Sequence, residues 1–249
     1  MIHRQKPLHE PNTGKTLVRR VCGMEYFRFP IRTHFVTIGE DYRELVRRYV
    51  VPYYRPGDIV AISEKVVSLC QGQVMHQSSM KISWLARFLC RFAMRNPAGP
   101  AMDNVYKMQA AINLRGPGRV LLAAAAAGIG KALGIGGIFY RILGQEVAGI
   151  DGFCVVGYNY YADKGILSPH RPDLVCAELK RLFGVDAMIV DANDLGVELL
   201  GKAPGMPLKD SELRDLIRDN PAGQKTEQTP FILIRAAGKQ RHHASRSAS

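Results

Sequence analysis

An α+β fold, with a mixed β-sheet core and a helical segment in the middle of the chain, is predicted by three features in order along the sequence. The first part, to about Val74, is rich in β-branched and aromatic runs broken by turn residues. The middle, from Ser83 to about Gly134, repeats its apolar residues at helical spacing and is heavy in Ala. From Phe139 onward short apolar runs alternate with amphipathic stretches, without the regular β-then-α rhythm of a doubly wound sheet.

Residues 1–20 hold five Lys or Arg against Glu10 alone and are expected to form a flexible basic arm. A single domain is expected over residues 21–235, followed by a disordered basic tail over 236–249. "CGMEYFRFPIRTHFV" reads as strands broken at Pro30. "GEDYRELVRRYVVPYY" is an amphipathic helix with Tyr42, Leu45, Val46, Tyr49 and Val50 on one face. "PGDIVAISEKVVSLCQGQV" opens with a turn at Pro56-Gly57 and reads as β-rich up to a second turn at Gln71-Gly72. In "SWLARFLCRFAMRN" the residues Trp84, Leu85, Phe88, Leu89 and Phe92 share one side of a helix and are expected to pack into the core. "AMDNVYKMQAAINLRG" and "RVLLAAAAAGIGKALG" are two further helices.

"FYRILGQEVAGIDGFCVV" reads as strands around a turn at Asp151-Gly152. "RPDLVCAELKRLFG" is a helix with Pro172 near its start and Gly184 just past its end. "DAMIV" is a strand, "KDSELRDLIRDN" a helix stopped by Pro221, and "TPFILIR" a final strand.

Composition excludes several classes. The 34 Lys and Arg outnumber the 22 Asp and Glu, but the excess gathers at the two ends, which argues against a nucleic-acid-binding face. Five scattered cysteines form no CxxC and no Cys/His pair, so neither a zinc site nor a disulfide scaffold is expected. The first residues hold no apolar signal segment, and a cytoplasmic location is expected. The stretch Val120 to Tyr140 is long enough to span a bilayer, but Lys131 at its centre would cost about 2.5–3.5 kcal/mol. A buried Ala-rich helix is expected there, and no membrane partner. "GIGKALGIGG" lacks the Ser or Thr after Lys131 that a phosphate loop needs, and its glycines miss the dinucleotide spacing by one residue. It reads as a glycine-rich helix end that allows close packing.

Four acids, Asp186, Asp191, Asp194 and Glu198, crowd "GVDAMIVDANDLGVELLG" without a Lys or Arg among them. Asp151 after "VAGI" and Asp191 after "AMIV" each stand where an apolar run ends. Carboxylates so placed suit a hard cation such as Mg(II) or Mn(II). Aspartate also favours such positions because its side chain bonds nearby backbone.

"GDIVAISEKVVSLCQGQ", "VAGID" and "PDLVCAELKRLFGVDAMIVDAN" resemble segments of the coenzyme F420:L-glutamate ligase (F420-0 γ-glutamyl ligase) family over roughly residues 25–235. Lys65, Ser68 and Gly72 match the family's first block, while Gln71 and Gln73 replace its Glu and Arg. "AGID" matches outright, "MIVDAN" is similar to the family's Asp-Thr segment with Ala192 in place of Thr, and "GQKTEQTPFILIR" is similar to its closing strand. A longer block that normally follows is missing, so the chain looks like a shortened relative. The resemblance implies an intertwined homodimer and a cytoplasmic enzyme of coenzyme F420 biosynthesis. It implies a ligase that uses GTP and Mn(II) or Mg(II) to activate a carboxylate acceptor as an acyl phosphate, to which L-glutamate is joined. It places Asp151, Asp191 and Asp194 on the metal, Lys65 near the phosphates, and Ser68 and Gly72 in the nucleotide-binding segment. Another carboxylate acceptor, or a non-catalytic binding protein using its basic ends, are the alternatives.

Overall fold

Runs that alternate or stay apolar over five to eight residues become strands here, and runs with apolar residues three or four apart become helices. The computed structural model describes residues 10–93, 102–153, 159–193, 196–223 and 227–238. Its elements are β1 (Val18–Val21), β2 (Met24–Ile31), α1 (Tyr42–Tyr49), β3 (Ile59–Ser63), α2 (Glu64–Cys70), β4 (Val74–His76), α3 (Trp84–Leu89) and α4 (Val105–Arg115). There follow α5 (Pro117–Ala132), α6 (Ile138–Leu143), α7 (Gln145–Ala148), β5 (Asp151–Gly152), β6 (Lys164–Ile166), α8 (Pro172–Phe183), β7 (Asp186–Asn193), β8 (Gly196–Lys202), α9 (Asp210–Ile217) and β9 (Phe231–Ala236). The mixture of sheets and helices is α+β, as expected. The span 21–235 read as one domain divides into two compact units, neither continuous in sequence. The first comprises the described residues of Met1–Thr33, Val46–Ile62 and Asp173–Ser249, and the second His34–Leu45 and Ser63–Pro172.

The first unit is built on a six-stranded mixed sheet of order β1-β2-β9-β3-β7-β8. Ile59, Ala61, Met188, Val190, Ile232 and Ile234 pack on Leu213, Leu216 and Ile217 of α9. Residues of the opposite parity, such as Val60, Ile189 and Leu233, are buried too. Strands covered on both faces have no polar alternation to show, which is why "AMIV" and "FILI" read as unbroken apolar runs. Each fully buried Leu or Ile of this kind contributes about 2 kcal/mol. Asp58, just before β3, ties that strand to β9: its carboxylate accepts from Arg235 Nε at 2.8 Å, and Arg235 Nη2 also donates to Tyr53 O at 2.9 Å.

Three expectations are corrected in this unit. Residues 10–20 are not a flexible arm; residues 1–9 lie outside the described residues. Asn12 Nδ2 donates to the carbonyls of Pro221 and Ala222 at 2.9 and 3.0 Å, Lys15 Nζ donates to Asp219 O at 2.9 Å, and β1 pairs antiparallel with β2. Arg19 forms an ion pair with Asp219, which the fully buried Arg28 shares. Ala236, placed at the start of the disordered tail, is likewise the last residue of β9; residues 239–249 lie outside the described residues. Pro30 does not break its strand either, for β2 runs through it opposite Ile232. The Arg28 N–H donates toward β1, at Leu17 O. Two residues on, the proline nitrogen faces the same side, beyond the end of β1, where no ladder bond is lost.

The second unit packs α3 to α7 around Leu85, Ala86, Met108, Ala111, Val120 and Leu143, beside a three-stranded sheet of order β4-β6-β5. The segment "EKVVSLC", read as β-rich, is the helix α2. Its Val66, Val67 and Leu69 are buried, and its end is closed in the manner of a glycine-terminated helix. Gly72, at φ +66°, donates its N–H to Leu69 O and Gln73 donates to Ser68 O, satisfying carbonyls the helix would leave open. The approach to Asp151 is helical as well: Leu143, Val147 and Ile150 are buried at helical spacing in α6, α7 and the turn after them. The aromatic side of α3 is the third correction. Leu85 and Leu89 are buried, whereas Trp84 is 77% exposed, Phe88 47% and Phe92 70%. The close-packing reading of the glycine-rich stretch holds at Gly130, where a Cβ would fall 2.1 Å from Ile138 Cδ1. No helix among the described residues is long and apolar enough to cross a membrane.

Candidate functional site

Two of the predicted site residues, 86 positions apart in sequence, meet in the second unit. Lys65 stands in the first turn of α2, directly after β3, so its stem is anchored by the buried Val66 and Val67. Asp151 opens β5, whose Gly152 pairs with Gly165 of β6. Lys65 Nζ forms an ion pair with Asp151 Oδ2, and Asp151 Oδ1 accepts the N–H of Gly152 at 2.7 Å. The Gly152 position admits only glycine, because φ is +88° and a Cβ would lie 2.2 Å from Lys164 O. The strand pairing beside Asp151 therefore depends on that absent side chain.

The pair is set in an aromatic and basic surround. Lys65 Nζ lies 5.4 Å over the ring of Tyr161, which packs edge-on against Tyr160, and Phe35 contacts both rings. Lys107 of α4, only 7% exposed, adds a second positive charge near Asp151. Crowding by protein atoms pushes the Asp151 carboxyl up, but Lys65, the Gly152 N–H and Lys107 outweigh it and hold the group below the usual carboxylate range. Asp151 is thus ionised at neutral pH. Lys65 and Asp151 keep 40% and 45% of their side-chain surface open to solvent. Two lysines against one accessible carboxylate leave a local excess of positive charge, which suits an anionic group such as phosphate or carboxylate.

Asp191 belongs to the other unit. It sits on β7 directly opposite Glu198 of β8, two like charges facing across the ladder. Partial burial and then Asp191 push the Glu198 carboxyl up, against a smaller opposing effect of Arg214. Glu198 is half-buried. Asp186 opens β7 and accepts from Lys180 Nζ at 2.8 Å. Asp194 lies outside the described residues. Ser68 is 1% exposed, its hydroxyl without a hydrogen-bond partner among the described residues, and Gly72 closes α2. Among the described residues no group of three or more His, Cys, Asp or Glu side chains is placed to hold a metal ion.

Sequence reasoning missed Lys107 and Tyr161. The first had a signal: Lys107 stands in "YKMQAAI", where the whole run Lys107 to Ile112 is buried. A lysine inside such a run is held there by charge or hydrogen bonding. Tyr161 had none. No family model matches the chain, and no curated protein matches it.

Proposed function

We propose that the chain is a ligase of the coenzyme F420:L-glutamate type, working as a homodimer with GTP and L-glutamate as substrates. The observation that carries this reading is the Lys65–Asp151 ion pair, which joins two segments that the resemblance assigns to one phosphate-handling site. In the proposed reaction a carboxylate oxygen of the acceptor attacks the γ-phosphorus of GTP, giving an acyl phosphate and GDP. The amine of L-glutamate then attacks the acyl carbon, phosphate leaves, and the amine proton goes to solvent.

Among the described residues no three ligating side chains gather at Asp151, whose carboxylate faces Lys65 and Lys107, so a resident all-protein metal cage is not made there. The carboxylate does fit Mg(II) or Mn(II) arriving with a nucleotide, because such ions take one or two carboxylates plus substrate phosphates. When bound, the ion neutralises charge on the phosphates. Asp151, ionised and open to solvent, would hold it. Lys65 turns from Asp151 toward the nucleotide and stabilises charge on the transferring group, and Lys107 keeps the local potential positive after that turn. Tyr161 fixes the starting position of the ammonium group through its ring face.

The test is turnover. Phosphate release from GTP should require L-glutamate and a carboxylate acceptor together, and Lys65→Ala should lower its rate by about 100-fold. Release that ignores both substrates, or an unchanged rate in the variant, overturns the reading. A different acceptor from the deazaflavin precursor is the second reading. It is favoured by Ala192 and by the direct return of β7 into β8, where the family's longer block would stand. Turnover with other carboxylates but not with the precursor would select it.

A further inference from the structure

The second unit exposes a surface that the proposed reaction does not use. On α3 and the turn after it, the buried residues are Leu85, Ala86 and Leu89, and the opposite side carries Trp84, Arg87, Phe88, Arg91 and Phe92, all exposed. The Phe88 and Phe92 rings pack edge to face, 5.1 Å apart, and Trp84 stands one helical turn before Phe88. The helix's orientation is fixed from beneath. Ser83 caps α3 by accepting the Ala86 N–H at 3.2 Å, and both its N–H and its hydroxyl donate to Oε1 of the buried Gln109 at 2.8 Å. These aromatics therefore face outward because the helix is pinned that way, and folding gains nothing from exposing them.

Charge says what this face meets. The run Trp84 to Phe92 holds no acid, and its two charges, the exposed Arg87 and Arg91, are both positive. We propose that the outer face of α3 docks on the headgroup region of an anionic lipid bilayer, lying in its plane. Tryptophan and phenylalanine with interleaved arginines are the composition of interfacial anchors. The rings enter the acyl boundary while the guanidinium groups stay with the phosphates. A second copy is a poor occupant, because closing this face on itself would gather Arg87 and Arg91 of both copies in one contact to which the run Trp84 to Phe92 brings no acid. Lying on a membrane needs no spanning helix, and α5, though Ala-rich, supplies none.

The chain's single tryptophan is Trp84 itself, so its fluorescence reports the contact directly. With the intact chain, vesicles of phosphatidylcholine mixed with phosphatidylglycerol should shift Trp84 emission to the blue. Lipids brominated near the headgroup should quench it. Vesicles of phosphatidylcholine alone should do neither. Phe88→Ser with Phe92→Ser changes exposed side chains only, so the fold should persist by circular dichroism while partitioning falls by about tenfold or more. Three results overturn the proposal. One is no spectral change with anionic vesicles; another is equal binding by the double variant, which would assign attachment to charge elsewhere in the chain. The third is self-association of the lipid-free chain with Trp84 already blue-shifted and indifferent to vesicles, which would give the face to a second copy. Bromine quenching in the unaltered chain decides the matter even if the variant misfolds.

Discussion

Replacing Asp219 by Ala should destabilise the first unit by about 2–3 kcal/mol, and the magnitude follows from what is left behind. Arg28 is wholly buried. Its Nη1 donates to Leu216 O at 3.0 Å and to Asp219 Oδ1, and its Nη2 donates to Thr16 O, Thr16 Oγ1 and Asp219 Oδ2 at 2.7, 2.8 and 2.9 Å. Without Asp219 the guanidinium keeps neutral acceptors but has no counter-charge. Breaking a fully buried pair costs about 3–5 kcal/mol; Asp219 keeps 32% of its side chain exposed, so water replaces part of the loss.

Equilibrium urea unfolding should show a midpoint lower by about 1 M at unchanged slope. Arg28→Met combined with Asp219→Ala should recover part of the loss, because the buried charge leaves with its partner. Burial pushes the Asp219 carboxyl up, but the Arg28 hydrogen bonds and charge hold it below the usual range. Its contribution is therefore full above the unfolded value near pH 4 and disappears as pH falls through the lower folded value. A loss under about 1 kcal/mol at neutral pH, or unaltered acid sensitivity in the variant, would refute the reasoning.

Other perturbations probe other places. Glu198→Gln should stabilise the chain at neutral pH by about 0.2–1 kcal/mol, since it ends the repulsion across from Asp191. Because the folded Glu198 carboxyl is raised, the unaltered chain should lose stability as pH climbs from about 4 through that folded value. The variant's thermal midpoints should lack this slope. Gly152→Ala should cost about 1–3 kcal/mol and weaken nucleotide binding together, because the new Cβ collides with Lys164 O beside Asp151; a loss of stability with binding intact would separate the strand from the site. Burial pushes the Cys70 and Cys176 thiols up to about 12, so both should resist alkylation at pH 8 in the folded chain, as mass spectrometry of the peptides can show.

The six-stranded sheet and its helices were legible because burial and periodicity coincide there. Pro172 and Gly184 bracket α8 as read, and the strands of "DAMIV" and "TPFILIR" stand where their apolar runs are. The misread elements fail for a common reason: a short apolar run has no period of its own. In "EKVVSLC" two valines suggest a strand, and tertiary burial of Val66, Val67 and Leu69 with a glycine stop at Gly72 makes a helix. The early basic residues were misread where their partners lie far off in sequence, since Lys15 bonds the Asp219 carbonyl and Arg19 its carboxylate, some two hundred positions away. The site was legible in its residues and not in its geometry. Lys65 and Asp151 were both named, but their pairing arises from the antiparallel placement of β5 on β6 and the helix start after β3. Asp191, chosen as its companion, lies in the other unit, opposite Glu198.

Calorimetric titration of the intact chain with GTP and Mn(II), repeated with Lys65→Ala and Asp151→Asn, bears most directly on the Lys65–Asp151 pair. Saturable binding by the unaltered chain is expected, with affinity lower by about 10- to 100-fold in each variant, the worth of a charge-assisted contact. Nucleotide-saturated chain should also melt about 5–10 °C higher than free chain. Equal affinity in all three chains, or no binding with either metal, would contradict a phosphate-handling role for the pair.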